Sequence, residues 1–276
     1  MLVRQCQLPR HPSCPQKMSM RWPAEAIWEE VFAVLPGFSV EILPEVDSTN
    51  TELMRRARAG LTDPVLLVGE RQTAGRGRLG RDWKSDTQGD GGTLTFSLGL
   101  PLQPQDWSGL SLAVGLSVVQ SLHPDLQLKW PNDVWWQGRK LAGILIETAS
   151  AGDQRYAVIG IGINITPREG DGLRTPPAAL QELMPGLDAP AVLQKVAAPL
   201  VHAVQVFASQ GFAPLRQAFL GRDLLYGQPV VCTDGTQGIA KGVDAGGVLL
   251  VHTDNGLVKI NSAEVSVRPA SPSSLS

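Results

Sequence analysis

The chain has little of what most sequence signatures are built from. Its 276 residues include three cysteines, Cys6, Cys14 and Cys232. Their spacing matches neither a metal site nor a disulfide framework, which leaves a reducing cytoplasm as the default location. An excess of one charge is missing too. The 24 basic and 26 acidic residues give a formal net charge of −2, so nothing global draws the chain to DNA or to a membrane surface. Aromatic residues make up 5%, too few for the interleaved stacking platform of a single-strand binder. No uninterrupted apolar run approaches the ~20 residues of a membrane span. Residues 1–22 contain no acid and no apolar core, only Arg4, Arg10, Lys17, Arg21 and scattered prolines. They are not a signal peptide and read as a disordered tail. No internal repeat and no Ser/His/Asp or Cys/His arrangement appears anywhere.

What is present is concentrated in a few places. Gly75-Arg76-Gly77-Arg78-Leu79-Gly80-Arg81, preceded by Arg71 and Gln72, puts four arginines within eleven residues. Guanidiniums offer planar multi-donor charge and glycines let backbone N–H groups come close, so this is a loop suited to wrapping an anion. It also spells G-x-G-x-x-G. The dinucleotide-binding version of that string opens a helix, whereas the residues that follow here are polar and have no helical period. The dinucleotide reading fails on context.

The hydrophobic periodicity predicts helices over Ala24 to Leu35, from Glu52 to Gly60, over Ser108 to Leu122, over Ala191 to Gln210 with a kink or break at Pro199, and from Leu215. Asp47-Ser48-Thr49-Asn50 supplies capping side chains for the second of these. Strands are predicted at Ser39 to Leu43, Val65 to Gly69, Thr93 to Leu100, Leu141 to Glu147 and Tyr156 to Ile165. In the last of these, Ile159, Ile161, Ile163 and Ile165 share one face, while Gly160, Gly162 and Asn164 share the other. A strand face reduced to glycine has something lying close against it, either a ligand or a tightly packed element. Gly143 makes a similar gap. From Tyr226 the texture changes to short β segments punctuated by Asp234-Gly235, Gly246-Gly247 and Asn255-Gly256, which predicts a small barrel with a boundary near Leu224.

A second dense cluster is Lys129-Trp130-Pro131-Asn132-Asp133, followed by Lys140-Leu141-Ala142-Gly143. Lys140 stands at the mouth of a strand, where a mobile point charge can meet a carboxylate or an α-phosphate.

Taken together, these motifs resemble the biotin–protein ligases, the biotin–[acetyl-CoA-carboxylase] ligases, in order and spacing from about Leu43 to Arg268. With little chain ahead of Leu43, the resemblance is to the ligase-only class that lacks an N-terminal DNA-binding domain. It implies an α+β fold: a mixed sheet flanked by helices, like a class II synthetase catalytic domain, over residues 23–224, and an SH3-like β-barrel over 225–276. It implies biotin and ATP as substrates, Mg²⁺ with unassigned ligands, a biotin carboxyl carrier protein as acceptor, no DNA or membrane partner, and room for a homodimer. Ser48, Thr49 and Gln72, with Thr73 beside them, match positions that hold the ureido head of biotin, and Asn50 orders that turn. Arg76, Gly77 and Arg78 match the loop that folds over the ligand. Arg78 and Lys140 are the implied catalytic pair at the carboxylate and phosphate, and Gly143 lets the biotin ring approach. Arg81, Trp83, Asn132 and Asn164 match the nucleotide side. Arg71 stands where an aromatic residue is expected. The rival readings are a lipoate or octanoyl ligase of the same fold and, from a different class, an Arg-Gly nucleic-acid-binding module.

Overall fold

The computed structural model describes residues 20–84, 91–152, 154–168, 177–261 and 267–269. Most of the expected tail, and of the long loop after Lys84, lies outside those residues.

The first half of the chain builds α1 (Ala24–Phe32), β1 (Ser39–Leu43), α2 (Thr49–Arg58), β2 (Val65–Gly69), β3 (Thr93–Pro101) and α3 (Leu110–Leu122). Then come β4 (Gln127–Lys129), β5 (Asp133–Trp136), β6 (Arg139–Ala151) and β7 (Gln154–Asn164), followed by α4 (Leu180–Leu183), α5 (Ala189–Gln210) and α6 (Arg216–Leu220). The seven strands form one sheet in the order β1-β2-β3-β7-β6-β5-β4. Only β1 and β2 run parallel, so the sheet is mixed.

The period-2 alternation along the strands divides the core in two. Leu66, Val68, Leu94, Phe96, Leu98, Ile159, Ile161 and Ile163 belong to the larger cluster with α3 and α5. Val65, Leu67, Tyr156 and Val158 face the opposite way, against Leu53, Met54 and Ala57 of α2. Gly160 and Gly162 share that second face, and there the apolar packing stops and the polar site begins. Helix α5 is long and apolar enough to span a membrane by length and composition. Here its apolar stripe, from Val192 to Phe207, is buried in the larger core beside α3. It runs as one helix through Pro199, so the expected break does not occur; Val196, Ala197, Leu200 and Val201 around the proline are buried in the core.

Beyond α6, strands β8 (Pro229–Cys232), β9 (Gln237–Val243), β10 (Leu249–Thr253), β11 (Gly256–Ile260) and β12 (Val267–Pro269) make an antiparallel sheet in the order β11-β10-β9-β8-β12. It is fastened to the rest of the chain. Trp130, 1% exposed, donates its indole N–H to the Gly247 carbonyl at 3.1 Å. The Arg216 Nε donates to Val243 O at 2.6 Å. Val230, Val243, Leu249 and Val251 belong to the same core cluster as the seven-stranded sheet.

Asp223 sits at this join, bridged in backbone to Leu128. One of its oxygens accepts the Leu225 N–H at 2.9 Å, and the other is buried with no hydrogen-bond partner among the described residues. Burial pushes its carboxyl up to about 6. A raised folded-state value means the ionised form costs stability: the contribution of this carboxyl is fully present below about 4, the unfolded value. That advantage is lost as pH rises to about 6. Thermal melts of the wild type should show this loss across that window, and Asp223→Asn should flatten it. An unchanged slope in the variant would remove Asp223 as its source.

Candidate active site

The site forms where the N-terminus of α2 meets the glycine face of β6 and β7. Ser48 caps α2, its hydroxyl accepting from Thr51 N at 3.4 Å. That places Thr49 and Asn50 in the first turn, pointing at the sheet. Thr49 donates its backbone N–H to Gln72 Oε1 at 2.8 Å, and its hydroxyl lies 3.2 Å from the same oxygen. Ser97 of β3 is fully buried, with Oγ 2.7 Å from both Thr49 Oγ1 and Asn50 Oδ1. Asn50 occupies the space a side chain at Gly160 would need: a Cβ there would stand 2.1 Å from its Oδ1. The far end of its amide donates to Leu145 O at 3.1 Å and to Glu147 Oε2 at 3.0 Å. The result is a pocket of about 460 Å³ with a fixed wall of hydroxyl and amide groups, suited to a neutral polar head with several donors and acceptors.

The arginine loop covers this pocket. Gly77 N donates to Arg81 O at 2.7 Å and Trp83 N to Gly75 O at 2.9 Å, closing a compact turn. Its two central arginines diverge. Arg76 reaches back to Glu147 at 3.1 Å and to Thr51 Oγ1 at 3.4 Å. Arg78 reaches forward and donates to Asn132 Oδ1 at 3.2 Å. Burial lowers the affinity of the Arg78 guanidinium for its proton; Asp133 opposes that shift and Arg81 adds to it. An anion placed beside a partly buried guanidinium offsets its desolvation.

Lys140 closes the far end. Its Nζ lies 2.7 Å from Asp133 Oδ1 and 5.8 Å from the centre of the Trp83 ring. Trp83 lies flat in the slot left by two glycines; a Cβ at Gly162 would come within 2.4 Å of the indole, and one at Gly143 within 3.3 Å. A second cavity of about 680 Å³ opens beyond, between Arg81, Asp82, the 129–133 turn and Val267 of β12. The two cavities share Gly77, Arg78, Trp83, Asn132 and Lys140. Two cations therefore stand at the junction of two compartments.

Comparison with known proteins agrees with this geometry. Residues 42–164 match the biotin/lipoate A/B protein ligase family, and residues 226–268 match the biotin protein ligase C-terminal domain. The bifunctional ligase/repressor BirA of Escherichia coli is 35% identical over 254 residues, covering 88% of this chain and 78% of that protein. The chain belongs to the biotin/lipoate A/B protein ligase family. The biotin–[acetyl-CoA-carboxylase] ligase of Paracoccus denitrificans is 34% identical, with 81% of this chain and 98% of that one covered. Among solved structures, the biotin protein ligase from Aquifex aeolicus in complex with biotin and ATP superposes with a TM-score of 0.72 at 31% identity, covering 84% of this chain and 99% of the other.

Within this member of the ligase family, most of the residues picked from sequence converge. Ser48, Thr49, Asn50, Gln72, Arg76 and Gly143 line the first cavity, and Arg81 the second; Gly77, Arg78, Trp83, Asn132 and Lys140 line both. Three of the residues singled out from sequence lie outside the two cavities. Asn164 is 1% exposed and lines neither cavity; its amide donates to Ala178 O at 3.1 Å and lies 3.4 Å from Lys140 O, so it braces the strand behind the lysine. Thr73 is exposed and lines neither cavity; its backbone N–H bonds Val46. Arg71 pairs with Glu45 at 2.5 Å on the surface, so the cradle is built by fewer than four arginines. Two residues escaped the sequence reading. Ser97 looked like one polar tooth of an alternating strand, and Glu147 like the end of one. Their only signal was that they fall on the same face as the glycines.

Proposed function

We propose that this chain is an ATP-dependent biotin–protein ligase working in two steps. A biotin carboxylate oxygen attacks the α-phosphorus of ATP and expels pyrophosphate, giving biotinyl-5′-adenylate. A lysine amine of a biotin carboxyl carrier protein then attacks the acyl carbon and expels AMP, losing a proton as the amide forms. The observation that carries this reading is the shared junction of the two cavities. Condensing a carboxylate with a phosphate brings two anions together, and Arg78 and Lys140 stand where their charge must be neutralised. The pocket of hydroxyl and amide groups suits the ureido head, and the second compartment suits the nucleotide. Neither step needs a protein nucleophile. The loop's further task is to keep water from the mixed anhydride.

Among the described residues no group of three His, Cys, Asp or Glu side chains is placed to hold a metal. Mg²⁺ is accordingly proposed to arrive on the ATP phosphates, as fits an ion that keeps its waters. Consumption of ATP and the cysteine-poor composition suit the cytoplasm. The division into a catalytic part up to 224 and a C-terminal part from 225 assigns substrate activation to the first. The second closes the nucleotide side through Val267.

The test is transfer of labelled biotin to the carrier domain, with biotin and ATP each omitted in turn and with lipoate offered as the competing acid. Labelling that needs both biotin and ATP is expected. Labelling by lipoate at a comparable rate, or none with biotin, would overturn the assignment.

A further inference from the structure

Behind the pocket wall lies a carboxylate that the chemistry above does not use. Glu147 follows Gly143 and Leu145 on the same face of β6, where Gly143 pairs with Gly162, Leu145 with Gly160 and Glu147 with Val158. It lines neither cavity at the reaction junction. Its side chain is 22% exposed, and its two oxygens are separately engaged: Oε2 accepts from Asn50 Nδ2 at 3.0 Å, and Oε1 lies 3.1 Å from Arg76 Nη2. Asn50 cannot swing away. It is 3% exposed, it is packed against Gly160, its carbonyl oxygen is held by Ser97, and its amide nitrogen bonds two acceptors. An amide whose donors and acceptor are all engaged fixes the carboxylate it binds.

We propose that Glu147 is a positioning residue for the arginine loop: by holding Arg76, it ties the loop down over the pocket and leaves Arg78 as the loop cation facing the reacting anions. This deepens the ligase reading and rests on it. Two guanidiniums two residues apart repel each other and compete for the same ligand charge. A fixed anion on the α2 side draws Arg76 backward, while Arg78 is drawn toward Asn132 and Asp133. The tie reaches from Gln72 through Thr49, Ser97, Asn50 and Glu147 to Arg76, so the wall that receives the ligand head also anchors the loop that closes over its tail.

The experiment uses the full chain and E147Q, which keeps the shape and removes the charge. In the ligand-free protein, amide exchange across residues 75–82 should quicken by about two- to fivefold, the scale of a half-exposed ion pair. Salt should quicken it in the wild type and have less effect in the variant, since screening and substitution remove the same attraction. With biotin and ATP, the variant should form adenylate at close to the wild-type rate and release it faster by a similar factor. Unchanged exchange in E147Q overturns the tie. Faster exchange with adenylate release unaltered overturns the positioning role. If E147Q does not fold, the salt titration of the wild type decides, and protection of 75–82 that is indifferent to salt overturns the proposal. Failure of the wild type to make any adenylate would instead sink the ligase assignment, with the exchange measurement still judging the tie.

Discussion

Lys140→Ala is expected to reduce adenylate formation by about 10²–10³-fold, the usual cost of deleting a preorganised charge at a reacting centre, while leaving the protein folded. The side chain is 38% exposed, so its loss opens no sealed cavity. Its loss does change the electrostatics of the junction. Asp133 sits 2.7 Å from the ammonium and is 17% exposed. Without Lys140 it becomes a third anion facing the biotin carboxylate and the α-phosphate. Of the two cations that line both cavities, Arg78 would remain. Biotin-dependent exchange of labelled pyrophosphate into ATP measures this step, with a thermal melt to confirm folding. Lys140→Arg should recover part of the rate, because it restores charge without the compact geometry. Activity in Lys140→Ala within a few-fold of wild type would remove the lysine from the mechanism.

Arg78→Gly should act on the next stage, retention of the adenylate. A charge-assisted hydrogen bond of this type contributes about 1.5–3 kcal/mol, which is one to two orders of magnitude in release rate. Glycine also loosens the turn just where Leu79 already holds a left-handed φ of 57°. Arg76 remains tied to Glu147, so the loop should keep its place on the α2 side and lose its grip at the junction. Escaped adenylate is a mixed acyl–phosphate anhydride of biotin and acylates any exposed lysine it meets. Bystander proteins added to the reaction should become labelled, in proportion to ATP and not to carrier. Labelling that stays confined to the carrier lysine, with biotin affinity unaltered, would mean that Arg78 does not hold the lid.

The two variants separate the chemistry from its containment. The first should slow pyrophosphate exchange; the second should spare exchange in proportion and lose specificity. Glu147 would affect containment less strongly than Arg78, because it works through an ion pair that water can partly replace.

Much of this was legible before any coordinates. Alternation in Thr93 to Leu100 and Tyr156 to Ile165 located the central strands, because a strand buried on both faces must still give each face its own set of side chains. The run Gly160, Gly162 and Gly143 marked a surface with something pressed on it. Sequence could not say what. In the ligand-free protein Asn50 and Trp83 lie there, and Trp83 lines both compartments where a place on the nucleotide side was expected. Counting arginines overstated the cradle, since one-dimensional spacing does not show which guanidinium an acid will claim. Arg71 went to Glu45 and Arg76 to Glu147, partners 26 and 71 residues away.

By itself the sequence determined the longer helices, the central strands and the change of texture near Leu224, which follow from local periodicity, capping and composition. The mixed character of the main sheet and the residue roles at the junction came from the family resemblance, and the short strands β4 and β5 were not read at all. Only the tertiary structure decided the rest. It turned Asn164 inward to brace Lys140, merged the C-terminal sheet into the larger core through Trp130 and Val243, and set Glu147 behind the pocket wall. Those outcomes depend on which residues distant in sequence arrive at the same few ångströms, and charge pairing, burial and hydrogen bonding act only once they are there.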